Sequence, residues 1–453
     1  MEAQLFDVQA LRAHLHDAIA ARDREHTHVV LAQLPPEEVA QLLEELPSEE
    51  LAQLLQLISD EEIAQLLEKM DAATAAHIVR KLSYARAADV LEEMAPDNAT
   101  DIAGELDPQE AEAILVEMQP AEADDIRDLL AYPPDTAGGR MTPEFVAISP
   151  DLTVDEALVA LRKVASEAET IYYVYVVDDH DRLIGVLNLR DLVVSPPGRS
   201  VGEIMILEPI KVRASEDQET AARLLGEYNL LAIPVVDDDD RLLGIITVDD
   251  AADILEQEFS EDYLKMAGTD AEAMERRTPA QVAMIRLPWL LGTMTIELLA
   301  GLVISRFDHV LQQVILLASF MPVISAVSGN VGLQAAAIVV RGLDTGHVSL
   351  RNWGRQVFKE LSASLLMAIS CGLVLGTIGA IWSRHLPFGI VIGGAMICSM
   401  LTAGFMGTMM PMISKRLGFD PATTAGPFET AFQDVIGFGV FLWLASMLIH
   451  WLS

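Results

Sequence analysis

From Leu34 onward the apolar positions return in blocks of twelve residues, beginning "LPPEEVAQLLEE", "LPSEELAQLLQL" and "ISDEEIAQLLEK". Each block opens on an apolar residue: Leu34, Leu46, Ile58, Met70, Leu82, Met94, Leu106 and Met118. Ser, Asp or Pro usually follows, then acids, then an apolar pair. Small polar residues cap a helix N-terminus, Pro fits its first turn, and acids there suit the helix dipole. Each block therefore predicts a turn and a helix of about two turns. One such helix cannot bury its apolar face alone, but a stack can. Residues 1–130 read as an acidic α-helical superhelix.

The period then changes to strand-like runs. "YVVDDHDRLIGVLNLRDLV" (Tyr175–Val193) matches "PVVDDDDRLLGIITVDDAA" (Pro234–Ala252) at a spacing of 59 residues. Each copy has an apolar strand, an acidic turn, a second strand with Gly185 or Gly244, and a helix starting at Asp191 or Asp250. An amphipathic helix precedes each, Thr153–Val164 and Asp217–Tyr228. The pattern resembles a tandem CBS pair, an α/β module, over roughly 141–256; the pair is assigned to 131–252. Residues 253–278 follow as an acidic connecting helix.

The remaining chain, 279–453, predicts an all-α membrane domain of five helices, at about 285–305, 311–339, 361–382, 388–413 and 425–451. Each can cross about 30 Å of hydrocarbon. Pro322 and the glycines of the second span read as interruptions where a helix lines a cavity. Arg341, Arg351, Arg355 and Lys359 lie between spans two and three, and Lys415 and Arg416 between four and five. The other short loops hold only Arg306 and Arg384. Basic loops stay on the cytoplasmic side, so the soluble half is expected in the cytoplasm and the C-terminus outside an inner (plasma) membrane. The N-terminus shows no secretory signal.

Charge sharpens this division. Residues 1–278 carry 61 acids against 21 Lys and Arg, whereas residues 279–453 carry seven against nine. An acidic surface of that kind repels nucleic acid and attracts cations. Cys371 and Cys398 sit in apolar runs and imply neither a disulfide framework nor a thiolate metal site. No nucleophile with a base partner, HExxH motif or phosphate loop argues for an enzyme.

In the membrane half the acids can be weighed singly. Intramembrane carboxylates are costly and usually mark an ion path. Asp434 is either such a residue or a packing carboxylate bonded to a neighbouring Ser or Thr. Glu429 lies nearer the interface, and Glu297 suits packing, a dimer contact or the pathway. Gly329 and Gly332 allow close helix approach; Asn330 and Gln334 add buried amides that together with Asp434 could make a wet polar constriction. A hard cation held through its own waters by few carboxylates fits this chemistry, and softer metals would favour a His/Cys cluster that the membrane half lacks.

"PVISAVSGNVGLQAAAIVVRG" and "DPATTAGPFETAFQD" resemble the signature segments of the MgtE family of magnesium channels or transporters, and the resemblance runs through the whole domain order. It implies that Asp434, paired across a homodimer, holds hydrated Mg2+ in a pore, with Asn330 and Gly329 beside it and Asp420 near the cytoplasmic mouth. It also implies regulatory Mg2+ at Asp97, Asp101, Glu219, Asp250, Asp253, Glu258, Glu261 and Asp262, closing the channel when bound. Mn2+ and Co2+ suit the same oxygen ligands. CBS pairs often bind adenosine nucleotides, which implies an ATP site at Tyr173, Arg190, Asp191 and Asp250; the alternative is that both aspartates merely begin helices. The chain departs from the family at Ser328, Asp344, Glu429 and Asn229. Two other functions fit the same residues: an ion-coupled divalent exchanger, and a non-transporting membrane sensor that reads nucleotides through its CBS pair.

Overall fold

In the computed structural model, residues 8–31, 33–34, 39, 42–43, 46–165, 168–269, 278–351 and 353–452 are described. Part of the first twelve-residue block and the end of the connecting segment, 270–277, lie outside the described residues. The chain divides into two compact units, the first ending at Leu255 and the second starting at Glu256. That division falls inside one helix, Val248–Met266, which starts before and ends before the connecting helix expected at 253–278.

The twelve-residue period becomes a succession of short helices: Ser48–Leu57, Asp60–Leu67, Ala72–Val79, Tyr84–Glu92, Pro96–Gly104, Pro108–Leu115 and Pro120–Leu130. Where a polar residue stands second in a block, it is the cap. Ser59, Asp71, Ser83 and Asp107 each accept a hydrogen bond from a backbone N–H of the first turn, and Ser59 and Glu62 form a capping box. Prolines 96, 108 and 120 occupy first-turn positions, where a missing N–H costs nothing. The block-opening residues Leu46, Ile58, Met94, Leu106 and Met118 are buried in one continuous core, with Met70 and Leu82 packed against it. Burying each such side chain contributes about 1.5–3 kcal/mol, and no single helix of eight to eleven residues could collect it alone.

The repeat of 59 residues is visible at the level of register. β2 (Tyr173–Val177) pairs antiparallel with β3 (Leu183–Asn188), with Tyr173 opposite Asn188. β6 (Ala232–Val236) pairs with β7 (Leu242–Thr247), with Ala232 opposite Thr247. Both hairpins carry an irregularity at the equivalent place, Val176/Val177 and Val235/Val236. β1 (Ala147–Ile148) and β5 (Val212–Arg213) add parallel to β2 and β6, and β4 (Ile206–Leu207) closes the first sheet beyond β3. The copies clasp each other reciprocally: Leu183 N–H donates to Asp240 O at 2.9 Å and Leu242 N–H to Asp181 O at 3.0 Å. Asp181 and Asp240 both adopt positive φ, 60° and 64°, a conformation that Asp tolerates better than most residues.

Among its described residues the second unit holds five helices long and apolar enough to cross a membrane, as expected of a multi-pass membrane protein. They are Pro279–Arg306, Met321–Asp344, Trp353–Ser383, Leu386–Leu417 and Pro427–Met447, here called the first to fifth spanning helices. They differ from the expected spans in one instructive way. The second was expected to cover 311–339, with Pro322 as an interruption within it. Instead a short helix (Asp308–Gln313) and a 3-10 segment (Ile315–Ser319) come first, and Pro322 sits in the first turn of the spanning helix. Proline starts the helix because its fixed φ suits that position, and it breaks nothing there.

Glycines set the closest helix contacts. A Cβ on Gly393 of the fourth helix would meet the Gly372 carbonyl of the third, and one on Gly407 would meet the Gly332 carbonyl of the second. Backbones this close gain dispersion contacts that lipid cannot match. The first helix packs mainly on the fifth, where Trp289 meets Phe428 edge-on at 5.5 Å, and most of its remaining surface is exposed in the single chain.

Candidate functional site: carboxylates in the membrane and at its mouth

Asp434 lies within the fifth spanning helix and Ser325 one turn into the second. The Ser325 hydroxyl donates to Asp434 Oδ1 at 2.5 Å. Glu297, from the middle of the first helix, brings its carboxyl within hydrogen-bonding reach of Asp434. Two carboxyls that close hold a proton or a cation between them, because two bare negative charges repel. The serine contact is the packing partner foreseen for Asp434; the Glu297 contact is what the sequence did not show. Gly329 faces the same way, its Cα turned toward Thr430 of the fifth helix.

Asn330 is placed differently. Five positions after Ser325, it points about 140° around the helix, and with Gln334 it lines a groove of about 520 Å³ against Ser370 and Cys371 of the third helix and Met400 of the fourth. Within one chain the two amides and Asp434 are therefore not brought together.

At the helix ends lies a second group. Asp420 caps the short helix Pro421–Thr424, accepting from Ala422 N–H at 2.7 Å. Its other oxygen is 2.7 Å from Lys265 Nζ on the helix Val248–Met266, and Lys265 also pairs with Glu261. Asp262 faces both Asp344 and Asp420, and burial beside those two like charges pushes its carboxyl up to about 7. Lys415 approaches Asp344 at 3.8 Å. Met266 packs against Ala336, Val340, Ala422 and Ala425, and a Cβ on Gly426 would strike the Met266 backbone. The end of the connecting helix is thus seated on the spanning bundle by Lys265 and Met266, while Asp262 faces two acids of the bundle. Glu258 lies half-buried one turn earlier.

In the first unit, Asp97 on helix Pro96–Gly104 faces Asp250 and Glu169, and burial with those neighbours raises it to about 7. Asp250 and Glu169 are themselves raised, first by burial and then by neighbouring acids, Asp253 acting on Asp250. Glu169 was not singled out from sequence, since it sits in a loop outside any motif. Asp101 meets the same group but also forms an ion pair with Arg140 at 2.8 Å, and Arg140 donates to Gln218 at 2.8 Å, beside Glu219. Arg140 also escaped the sequence reading. Among the described residues no three His, Cys, Asp or Glu side chains converge on a common metal position; the acids meet in pairs and short chains.

The nucleotide candidates are occupied in part. Asp250 accepts from the Thr247 hydroxyl at 2.5 Å and its N–H at 3.1 Å, and Asn188 donates to Asp191 at 3.1 Å. Both aspartates fall in the first turn of a helix that starts two residues earlier than expected, at Leu189 and Val248. The helix-opening role is therefore real; each carboxylate keeps a second oxygen. Tyr173 Oη accepts from Leu231 N–H at 3.4 Å across the two copies, and Arg190 is exposed. One cation with two carboxylates fits the phosphates and ribose of a nucleotide.

Comparison with known proteins gives matches to all three parts. The MgtE intracellular N domain matches residues 34–135, CBS domains match 137–196 and 201–257, and the MgtE divalent cation transporter matches 321–444. Magnesium transporter MgtE of Enterococcus faecalis is 38% identical over 327 residues, 72% of each chain. Magnesium transporter MgtE of Thermus thermophilus is 38% identical over 329 residues, 72% of this chain and 73% of that one. The crystal structure of the cytosolic domain of the Mg2+ channel MgtE in complex with ATP is 37% identical, covers 54% of this chain and 99% of its own, and superposes with a TM-score of 0.50.

Proposed function

Because the chain belongs to the MgtE family, we propose that it passes magnesium ions across a membrane and is closed by magnesium on its acidic soluble side. The observation that carries this reading is Asp434, a carboxylate kept within a spanning helix and held by Ser325 with Glu297 against it. Magnesium sheds water reluctantly and is gripped by few carboxylates. In a homodimer two copies of Asp434 around a twofold axis would hold one hydrated ion, and Asp420 would meet it near the mouth. Mn2+ and Co2+ are the competing cargoes for oxygen ligands.

Closure follows from like-charge repulsion. Asp97 faces Asp250 and Glu169, and Asp262 faces Asp344 and Asp420. These faces approach most readily with a cation between them, so occupancy tracks magnesium on the soluble side, which the basic loops place in the cytoplasm. ATP between the CBS copies, contacted by Tyr173, Arg190, Asp191 and Asp250, would share Asp250 with the acidic group and so couple to it.

Divalent uptake into liposomes by the parent protein and by Asp434→Asn tests the transport reading. Flux through the parent with loss in the variant supports it; equal flux through both ends it. Uptake that requires an opposing pH gradient would assign the chain to coupled exchange, the reading that the Glu297–Asp434 pair favours.

A further inference from the structure

Glu429 and Gln433 lie one helical turn apart on the fifth spanning helix, and both are buried, with exposures of 1% and 0%. Among the described residues neither Glu429 oxygen has a hydrogen-bond partner, nor has Gln433 Oε1. That leaves three acceptor oxygens on one helix face without a donor, a costly arrangement in a low-dielectric interior.

The donors beside Gln433 are already committed. Gln433 Nε2 donates to the Ser399 carbonyl and hydroxyl, each at 3.2 Å. A carbonyl can only accept, so this fixes the amide with Oε1 pointing away from Ser399. The Ser399 hydroxyl donates to Ser328 at 3.0 Å, and Ser328 donates to the Ile324 carbonyl at 2.5 Å. The hydroxyl protons of this chain all run from the fourth helix into the second, and none turns back toward Gln433 Oε1.

We propose that Glu429 and Gln433 form an intramembrane binding site for a small, dehydrated monovalent cation of sodium's size, separate from Asp434. The oxygens are the right ligands for a hard ion, and the positive charge supplies what the exhausted donors cannot. Valence follows from charge: one carboxylate neutralises one unit. Size follows from packing, since the Glu429 carboxylate lies directly on Gly332, whose carbonyl is in turn against Gly407. A bare ion reaches oxygens packed this closely against backbone more readily than one that keeps an octahedral water shell. The site also differs in direction from Asp434. Gln433 and Asp434 are neighbours, about 100° apart around the helix, so one faces Ser399 and the other Ser325. The proposal is independent of what crosses the membrane at Asp434.

The test is binding of radiolabelled sodium to the purified full chain in detergent, with N-methylglucamine holding ionic strength constant. The parent should bind about one ion per chain saturably, matching the single carboxylate. Glu429→Gln should weaken binding at least about tenfold, or about 1.4 kcal/mol, while Asp434→Asn retains it and millimolar magnesium fails to displace it. Absence of saturable sodium binding in the parent, the outcome if Glu429 simply carries a proton, overturns the proposal. So does loss in Asp434→Asn with retention in Glu429→Gln, or full displacement by magnesium. If Glu429→Gln does not fold, Gln433→Met decides: it removes one ligand oxygen, and unchanged affinity rejects the site.

Discussion

Lys265 Nζ lies 2.7 Å from Asp420 Oδ2, so a tethered ammonium occupies the carboxylate where the connecting helix meets the spanning bundle. The pairing with Asp420 and Glu261 holds the lysine well above its usual range, so it stays charged at every physiological pH.

Replacing that ammonium exposes Asp420, Asp262 and Asp344 to one another. Lys265→Gln should therefore raise flux at low soluble-side magnesium, by about fivefold for a loss of about 1 kcal/mol from a half-exposed pair. Liposome flux measured across a magnesium series checks this; a curve overlying the parent's would show that the lysine does not hold the helix down.

Asp434 depends on Ser325 for its orientation. Ser325→Ala removes the donor and leaves one buried acceptor oxygen without it, a cost of about 1–3 kcal/mol. Magnesium flux should fall and discrimination against manganese should relax, while Ser325→Thr, which keeps a hydroxyl, should stay close to the parent. Competition between the two ions in a flux assay reads both effects.

The Asp97 group predicts a pH dependence with a definite sign. Its carboxyl moves from 3.8 to about 7 in the folded chain. Below the unfolded value both states are protonated and there is no penalty. The penalty grows as pH rises through that window and is complete above about 7. A cation between Asp97 and Asp250 relieves it. Protection of this region by magnesium, measured by hydrogen exchange, should grow from about pH 4 to about pH 7 and then level off. Asp97→Asn should flatten that rise; an unchanged pH profile in the variant would place the titration elsewhere.

Gly407 rests on the Gly332 backbone with no space for a methyl group. Gly407→Ala should destabilise the bundle by about 1–3 kcal/mol, the usual cost of overpacking. The readout is the thermal midpoint in detergent. Gly226, whose Cβ position is open, serves as the control: Gly226→Ala should leave the midpoint unchanged or raise it.

Much of this architecture could be read from sequence because the interactions involved are local. A cap at Ser59 needs only Glu62, a hairpin needs its own turn, and five apolar runs suffice to predict five crossings. The repeats helped further, since a 59-residue period reproduced the strand register residue for residue. What tertiary structure alone decided are the meetings of side chains far apart in the chain. Asp97 finds Asp250 and Glu169, Asp101 finds Arg140, Lys265 finds Asp420, and Glu297 finds Asp434. Periodicity shows which face of a helix is apolar, but not which other helix that face will meet. Asn330 was therefore expected beside Asp434 from its place in the second span and from the resemblance, and within one chain it turns toward the third helix. The lack of donors around Glu429 was hidden for the same reason. Whether a buried oxygen has a partner is a property of everything packed around it, and no stretch of sequence contains that.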